Sequence, residues 1–212
     1  MLKVGIALAL FSSCAPQPVK VAPPPAQAHR LPHPVVVTHP YVFPIARCTT
    51  SYAHAHHDYA ATDIFAARGC AFVSPVEGRV DEVTYTDTWS SGTNRGADRG
   101  GLSVSVVGDD GVRYYGSHLQ RIASGIKPGV RVTAGTRLGE VGNTGSARGI
   151  ATHLHFGISW PTPHGVWWVR RGEVAPWPYL DSWRRDGEKS PADAVNALRR
   201  KVGTTPRCTS YC

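Results

Sequence analysis

The stretch "ATHLHFGIS", residues 151–159, alternates two imidazoles with apolar side chains. In a β-strand, residues two apart lie on the same face, so His153 and His155 are expected on one face, with Leu154 and Phe156 on the other. The apolar face can then pack into a core. Two adjacent buried imidazoles would repel each other if both were charged, and each would lose its hydration. The alternation therefore predicts that the histidine face binds one small ion or one reacting water.

The rest of the sequence offers further groups of the kind that a metal ion binds. The segment "SYAHAHHDYAATDIFA", residues 51–66, contains His54, His56, His57, Asp58 and Asp63. His118 lies in "YYGSHL", on a predicted strand of its own, where alternation places it on the face of Tyr114 and Gly116. A catalytic zinc ion usually takes three protein ligands and leaves a fourth position for water. The chain has no HExxH motif and no glutamate beside these histidines, so histidine is the expected proton carrier.

Together these residues resemble the LytM/lysostaphin-type zinc endopeptidases, which cleave peptide cross-links of bacterial peptidoglycan. The resemblance covers about residues 53–160 and includes "SPVEGRV", "VRVTAGTRLGEVGNTG" and "THLHFGI", which follow the family's order and spacing. It implies a mainly β fold, with the antiparallel β-sheet or sandwich core of the lysostaphin-type peptidase domain. It also implies one Zn²⁺ ion as cofactor and a peptidoglycan peptide as substrate.

The resemblance also implies which residues form the site. Three of them would bind the zinc ion, namely His57, Asp63 and His155. Two more would carry protons or stabilise the transition state, namely His118 and His153.

The first of these ligands is open to alternatives. His57 and Asp63 are six residues apart, whereas the corresponding pair is usually four apart in the family. His57 fits a variant form of the motif, in which the histidine before Asp-Tyr is the ligand. His56 is the alternative, and His54 is a more remote one.

Turn residues and runs of alternating apolar and polar residues predict the same fold class independently of the family resemblance. Asp110-Gly111 lies between two alternating runs and suits a tight hairpin turn. Residues 86–101 are polar and rich in glycine, which predicts a loop. A short C-terminal helix is expected to begin after Ser190, with Pro191 in its first turn, and to end near Lys201. The tryptophans of residues 160–183 either pack against the sheet or form a surface that stacks on sugars.

The composition divides the chain into four segments. Residues 1–14 read as a signal peptide, in which "LFSSC" resembles a lipoprotein cleavage box that would make Cys14 a lipidated membrane tether. The alternative for Cys14 is a free or buried thiol in a disordered leader. Residues 15–45 form a Pro-rich linker, residues 46–185 the peptidase domain, and residues 186–212 the C-terminal helix and a disulfide tail. The chain is therefore expected to be exported, to the periplasm or the cell envelope.

Four cysteines remain when Cys14 is set aside. An even number in an exported protein predicts two disulfides, and we assign them as Cys48–Cys70 and Cys208–Cys212. Neither pair has the CxxC spacing of a structural zinc site.

The 212 residues carry a formal net charge of +8, which favours polyanionic partners. The basic residues are scattered, and no helix-turn-helix or RNA-binding signature occurs, so nucleic acid is not an expected partner. We predict a zinc-dependent endopeptidase that hydrolyses peptidoglycan cross-links. The main alternative is an inactive LytM-like module that binds the wall or activates other hydrolases, and the oligomeric state is left open. A biotin- or lipoyl-carrier domain is disfavoured, because no lysine occupies the turn of "GVRVTAGTRLGEVG".

Overall fold

The computed structural model of the protein describes residues 1–2 and 40–212. Residues 3–39, which include nearly all of the expected leader, Cys14 and most of the expected linker, lie outside the described residues. The elements named below all lie in one structural unit, Val37–Cys212.

Short strands dominate the described part of the chain. They are β1 Ile45–Ala46, β2 Thr62–Phe65, β3 Ala71–Val73, β4 Gly78–Thr84, β5 Leu102–Gly108, β6 Arg113–Ile122, β7 Arg131–Val132, β8 Arg137–Val141 and β9 His153–Ser159. The α-helices are α1 Trp167–Arg170, α2 Trp177–Trp183 and α3 Ala192–Val202, and single 3₁₀ turns lie at Gly96–Asp98 and Gly145–Ala147.

All of the strand pairings are antiparallel, and β6 lies at the centre of the sheet. One edge of β6 pairs with β5, and the order continues through β4 to β7. The other edge pairs first with β9 and then with β8. Strand β9 also pairs with β2, so β2, β9 and β6 lie side by side. This confirms the predicted mainly β, antiparallel fold.

Strand β9 has the two faces that its alternation predicts. Leu154, Phe156 and Ile158 are fully buried in the hydrophobic core. His153 and His155 are also largely buried, on the opposite face. Antiparallel strands commonly have one face in solvent. Strand β9 is instead buried on both faces.

The predicted local elements are present. Strands β5 and β6 form the expected hairpin, in which Gly111 has a φ of +76°. Residues 86–101 connect β4 and β5 without a strand. Helix α3 begins at Ala192, one residue later than expected, with Pro191 at the N-cap position, and the Ser190 Oγ accepts a hydrogen bond from the Ala192 N–H at 3.2 Å.

Both assigned disulfides are formed, Cys48–Cys70 and Cys208–Cys212. Trp160 and Trp183 are buried, which supports packing as their role. Among the described residues, no helix has both the length and the apolar character that crossing a bilayer requires.

Candidate metal centre

Asp63 on β2 and His155 on β9 are direct partners across the two strands. The Asp63 Oδ1 lies 3.0 Å from the His155 Nδ1. His56, in the segment before β2, brings its Nε2 to 3.9 Å from the same carboxylate oxygen. One ligand atom from each of these three residues lies within 4.8 Å of the other two, so a single ion could contact all three.

Backbone hydrogen bonds orient the two imidazoles. The His56 Nδ1 lies 3.0 Å from the Tyr59 carbonyl, and the His155 Nε2 lies 3.0 Å from the Arg171 carbonyl. A carbonyl can only accept, so the ring nitrogen beside it must donate, which fixes the tautomer of a neutral ring. The lone pairs are left on the His56 Nε2 and the His155 Nδ1, the atoms nearest Asp63. Two imidazole nitrogens and one carboxylate oxygen match the donor set of a catalytic zinc site.

The structure separates the neighbouring residues His56 and His57. The His56 side chain is 3% exposed and belongs to the cluster. The His57 side chain is 65% exposed and forms a hydrogen bond with the Asp58 carboxylate instead. The structure therefore brings His56, and not the expected His57, together with Asp63 and His155. His54 lies elsewhere, 3.0 Å from a carboxylate oxygen of Asp181.

The two expected proton carriers lie beside the three candidate ligands. The His153 Nε2 is 3.9 Å from the Asp63 Oδ1, and the rings of His118 and His153 are 4.9 Å apart. The His118 Nδ1 donates to the Thr144 carbonyl at 2.8 Å, and the His153 Nδ1 donates to the Ala151 carbonyl at 2.8 Å. Each neutral ring therefore has its Nε2 free to accept a proton.

The face assigned to His118 from strand alternation was wrong. His118 lines the cleft with Tyr115 and Ser117, whereas Tyr114 is buried in the core. The cause is a β-bulge: two residues of β6, Ser117 and His118, lie opposite one residue of β5. His118 has a φ of +63°, an uncommon conformation for a residue with a side chain. The bulge reverses the direction of the side chain, as bulges near functional sites often do.

Burial and mutual charge set the protonation states. Burial, with the nearby charge of His155, lowers the pKa of His56 to about 4 and that of His118 to about 3. Burial alone would raise the pKa of Asp63, but the surrounding imidazoles, His155 foremost, lower it well below its usual value. At neutral pH, His56 and His118 are thus uncharged and Asp63 is ionised, as metal binding requires.

These side chains line one cleft, whose other walls come from residues 96–100, 146–150 and 167–171 and from Tyr211 near the C-terminus. Two contributions were missed at the sequence level. Tyr59 lies with its hydroxyl 3.5 Å from the His155 Nε2, and its position in "HHDY" was the only signal for it. The Arg171 carbonyl that orients His155 is a backbone group, so no residue type could have indicated it.

Comparison with known proteins assigns the family of the chain. The model of peptidase family M23 matches residues 49–166, a range that includes His56, Asp63, His118, His153 and His155. A search of curated proteins finds no significant match. The matched range is more than half of the 212 residues, which is enough to assign the family.

Solved structures share the fold. LytM from Ruminococcus gnavus is similar over 72% of this chain and 63% of its own, with a TM-score of 0.54 and 22% identity. Lysostaphin from Staphylococcus simulans, an antimicrobial peptidase, is similar over 69% of this chain and 55% of its own, with a TM-score of 0.50 and 23% identity. The chain thus matches less than two thirds of either protein, and at these identities the likeness concerns the fold alone. The match to the family model carries the assignment: the chain belongs to peptidase family M23.

Proposed function

We propose that this peptidase is a zinc-dependent endopeptidase that hydrolyses the peptide cross-links of bacterial peptidoglycan. One observation carries the proposal: the ligand atoms of His56, Asp63 and His155 lie within 4.8 Å of one another, in a cleft that also contains His118 and His153. An inactive module would have no need of three ligands and two further imidazoles in one place.

The three ligands fit zinc better than a hard cation. Two imidazole nitrogens with one carboxylate leave a fourth tetrahedral position open, whereas Mg²⁺ and Ca²⁺ prefer oxygen ligands alone. A zinc ion bound there would supply a Lewis acid and lower the pKa of a bound water toward about 7.

The remaining imidazoles are suited to proton transfer. His153 is the closer of the two to the ligands, with its Nε2 3.9 Å from the Asp63 Oδ1. It is placed to accept the proton of the attacking water and to return it to the leaving amine. His118, whose ring is 4.9 Å from that of His153, is placed to stabilise the charge that develops on the peptide carbonyl oxygen.

Two properties of the whole chain, its disulfides and its net charge, support the proposed substrate and location. Two disulfides are typical of an exported protein. A net charge of +8 would concentrate the enzyme near the acidic polymers of a cell wall. We therefore propose that the protein acts in the periplasm or cell envelope, with Cys14 as a lipid tether.

The test combines zinc content with hydrolysis of purified peptidoglycan. The wild type should bind one zinc ion and release peptide fragments. His155→Ala should lose both the metal and the activity, whereas His153→Ala should retain the metal and lose about 100- to 10,000-fold in kcat. A folded wild type that takes up no zinc and releases no fragments would point to the inactive activator module.

A further inference from the structure

Three arginines line the cleft, and they differ in how their charge is balanced. The Arg170 guanidinium forms an ion pair with Glu82. Within residues 40–212, Arg99 and Arg171 have no carboxylate oxygen within 4.0 Å. Their two positive charges are therefore uncompensated in a cleft that we propose binds a peptide.

Arg171 is a buried cation with fixed geometry. Its residue surface is 9% exposed, and its guanidinium lies 4.0 Å from the Tyr59 ring centroid and 5.0 Å from that of Trp167. One Nη donates to the Ser210 carbonyl at 2.7 Å, while the Nε has no hydrogen-bond partner among the described residues. A buried charge with unused donors is costly unless an anion or another acceptor reaches it.

Nearby acidic groups of the protein do not supply the anion that the Arg171 guanidinium requires. The charges of Asp58 and Glu173 act on Arg171, but neither forms an ion pair with it. Asp58 pairs with His57 instead. Burial raises the pKa of Glu173 to about 7, so this carboxyl is partly protonated at neutral pH.

Arg99 lies at the same end of the cleft. Its guanidinium is 3.8 Å from the Tyr211 ring centroid, and one Nη donates to the Asn94 Oδ1 at 2.6 Å. Tyr211 and the Ser210 carbonyl both belong to the ring closed by the Cys208–Cys212 disulfide. This C-terminal ring therefore contacts both guanidinium groups and restricts where they can move.

We propose that Arg99 and Arg171 form a subsite that binds a carboxylate of the peptide substrate. A planar guanidinium can donate two parallel hydrogen bonds to a carboxylate, and a partly buried site strengthens such bonds. The inference rests on the proposed function, because it concerns the substrate of the same cleft. The carboxylate could be a side chain of the peptide or its C-terminus, and the test separates the two.

The experiment measures kcat/KM for a cross-linked stem-peptide dimer released from peptidoglycan. Three forms are compared: the unmodified dimer, a dimer with amidated side-chain carboxylates, and a dimer with an amidated C-terminus. The wild type should cleave the unmodified dimer about tenfold faster than at least one amidated form. The amidated dimer with the lower kcat/KM identifies the carboxylate that the subsite binds.

Arg99→Gln should lose most of this preference, because Gln has the donor but not the charge. Arg95→Gln is the matched control: Arg95 lies in the same loop, is exposed and pairs with Asp98 outside the cleft, so the preference should be retained. Arg171→Lys tests the second guanidinium, since it keeps the charge and removes the paired donors. If that variant fails to fold, Arg99→Gln still decides the question.

Equal kcat/KM of the wild type for all three dimers would overturn the subsite and leave the proposed function intact. If the wild type cleaves none of them, the proposed function fails, and calorimetric titration of each dimer into metal-free protein then decides the subsite. Tighter binding of a carboxylate form, weakened by Arg99→Gln, would support it. Equal affinities would overturn it.

Discussion

Four imidazoles at the cleft, those of His56, His118, His153 and His155, each donate one ring N–H to a main-chain carbonyl. The carbonyls belong to Tyr59, Thr144, Ala151 and Arg171. This arrangement fixes the tautomer and the orientation of each ring, so the other nitrogen is available as a metal ligand or a base. Because the carbonyls come from the backbone, the orientation depends on the chain path around the cleft rather than on further polar side chains.

The two adjacent histidines give a sharp test of the ligand set. We expect His56→Ala to lower zinc affinity by at least 100-fold, because it removes one of three protein ligands. His57→Ala is the matched control and should retain zinc and activity, since that ring is 65% exposed and pairs with Asp58. Zinc titration with a competing chelator measures both. Loss of zinc in His57→Ala alone would restore the original assignment.

His118 should affect turnover without affecting the metal. We expect His118→Ala to retain one zinc ion and to lose about 100-fold or more in kcat. The substitution removes the group proposed to stabilise the charge on the carbonyl oxygen of the substrate peptide. Steady-state kinetics on a peptidoglycan fragment and metal analysis of the same sample provide the measurement. Thermal unfolding checks that the variant is folded. Unchanged kcat would remove His118 from the mechanism.

At the scale of elements, β9 connects the core to the site. Its pairing with β2 places His155 opposite Asp63, and its pairing with β6 places His155 opposite Ser117. On the face that carries His155, the backbone of β9 at Gly157 packs against the segment after α1. A Cβ added to Gly157 would lie 2.2 Å from the Arg171 carbonyl oxygen. That same carbonyl accepts the hydrogen bond from His155.

Gly157→Ala should therefore disturb the metal site from a distance. The added methyl group must displace the Arg171 carbonyl, which removes the support of the His155 ring. We expect zinc affinity to fall about 10- to 100-fold and the free energy of unfolding to fall by roughly 1–3 kcal/mol. Gly92→Ala is the control, since a Cβ there meets only the Ser90 Oγ at 3.7 Å. Normal zinc affinity in Gly157→Ala would show that the Arg171 carbonyl does not support the metal site.

For the whole molecule, Glu173 makes stability depend on pH. Burial raises its pKa from 4.5 to about 7. Between these two values the folded state binds more protons than the unfolded state, so stability falls as pH rises. Glu173→Gln has no carboxyl group to titrate, so its stability does not fall in this way as pH rises. Its free energy of unfolding relative to wild type should therefore rise by roughly 1–2 kcal/mol between pH 5 and pH 8.

Denaturant unfolding at the two pH values tests this, with a chelator present so that proton release by metal ligands does not contribute. Glu188→Gln serves as the control. Glu188 is exposed, and Gln retains the oxygen that accepts a hydrogen bond from the Tyr41 N–H. A Glu173→Gln stability difference that is the same at both pH values would contradict the assigned shift.

The sequence by itself determined the features that depend on local periodicity. The alternation of residues 153–158 assigned both faces of β9, and Asp110-Gly111 assigned the hairpin between β5 and β6. The count of cysteines led to both disulfides. Asp63 and His155 could be proposed together because the segments that contain them resemble the motifs of the LytM/lysostaphin-type family.

Only the tertiary structure decided which of two adjacent histidines enters the cluster and which way His118 points. His56 and His57 lie outside any strand, so no period fixes their direction, and contact with Tyr59 and Asp63 selects His56. His118 follows the bulge rather than the alternation of β6. The Arg171 carbonyl and the approach of residues 208–212 to Arg99 are likewise contacts between distant parts of the chain. Local sequence patterns specify which face of a strand is buried. Contacts between residues that are distant in the sequence specify which groups pack against that face.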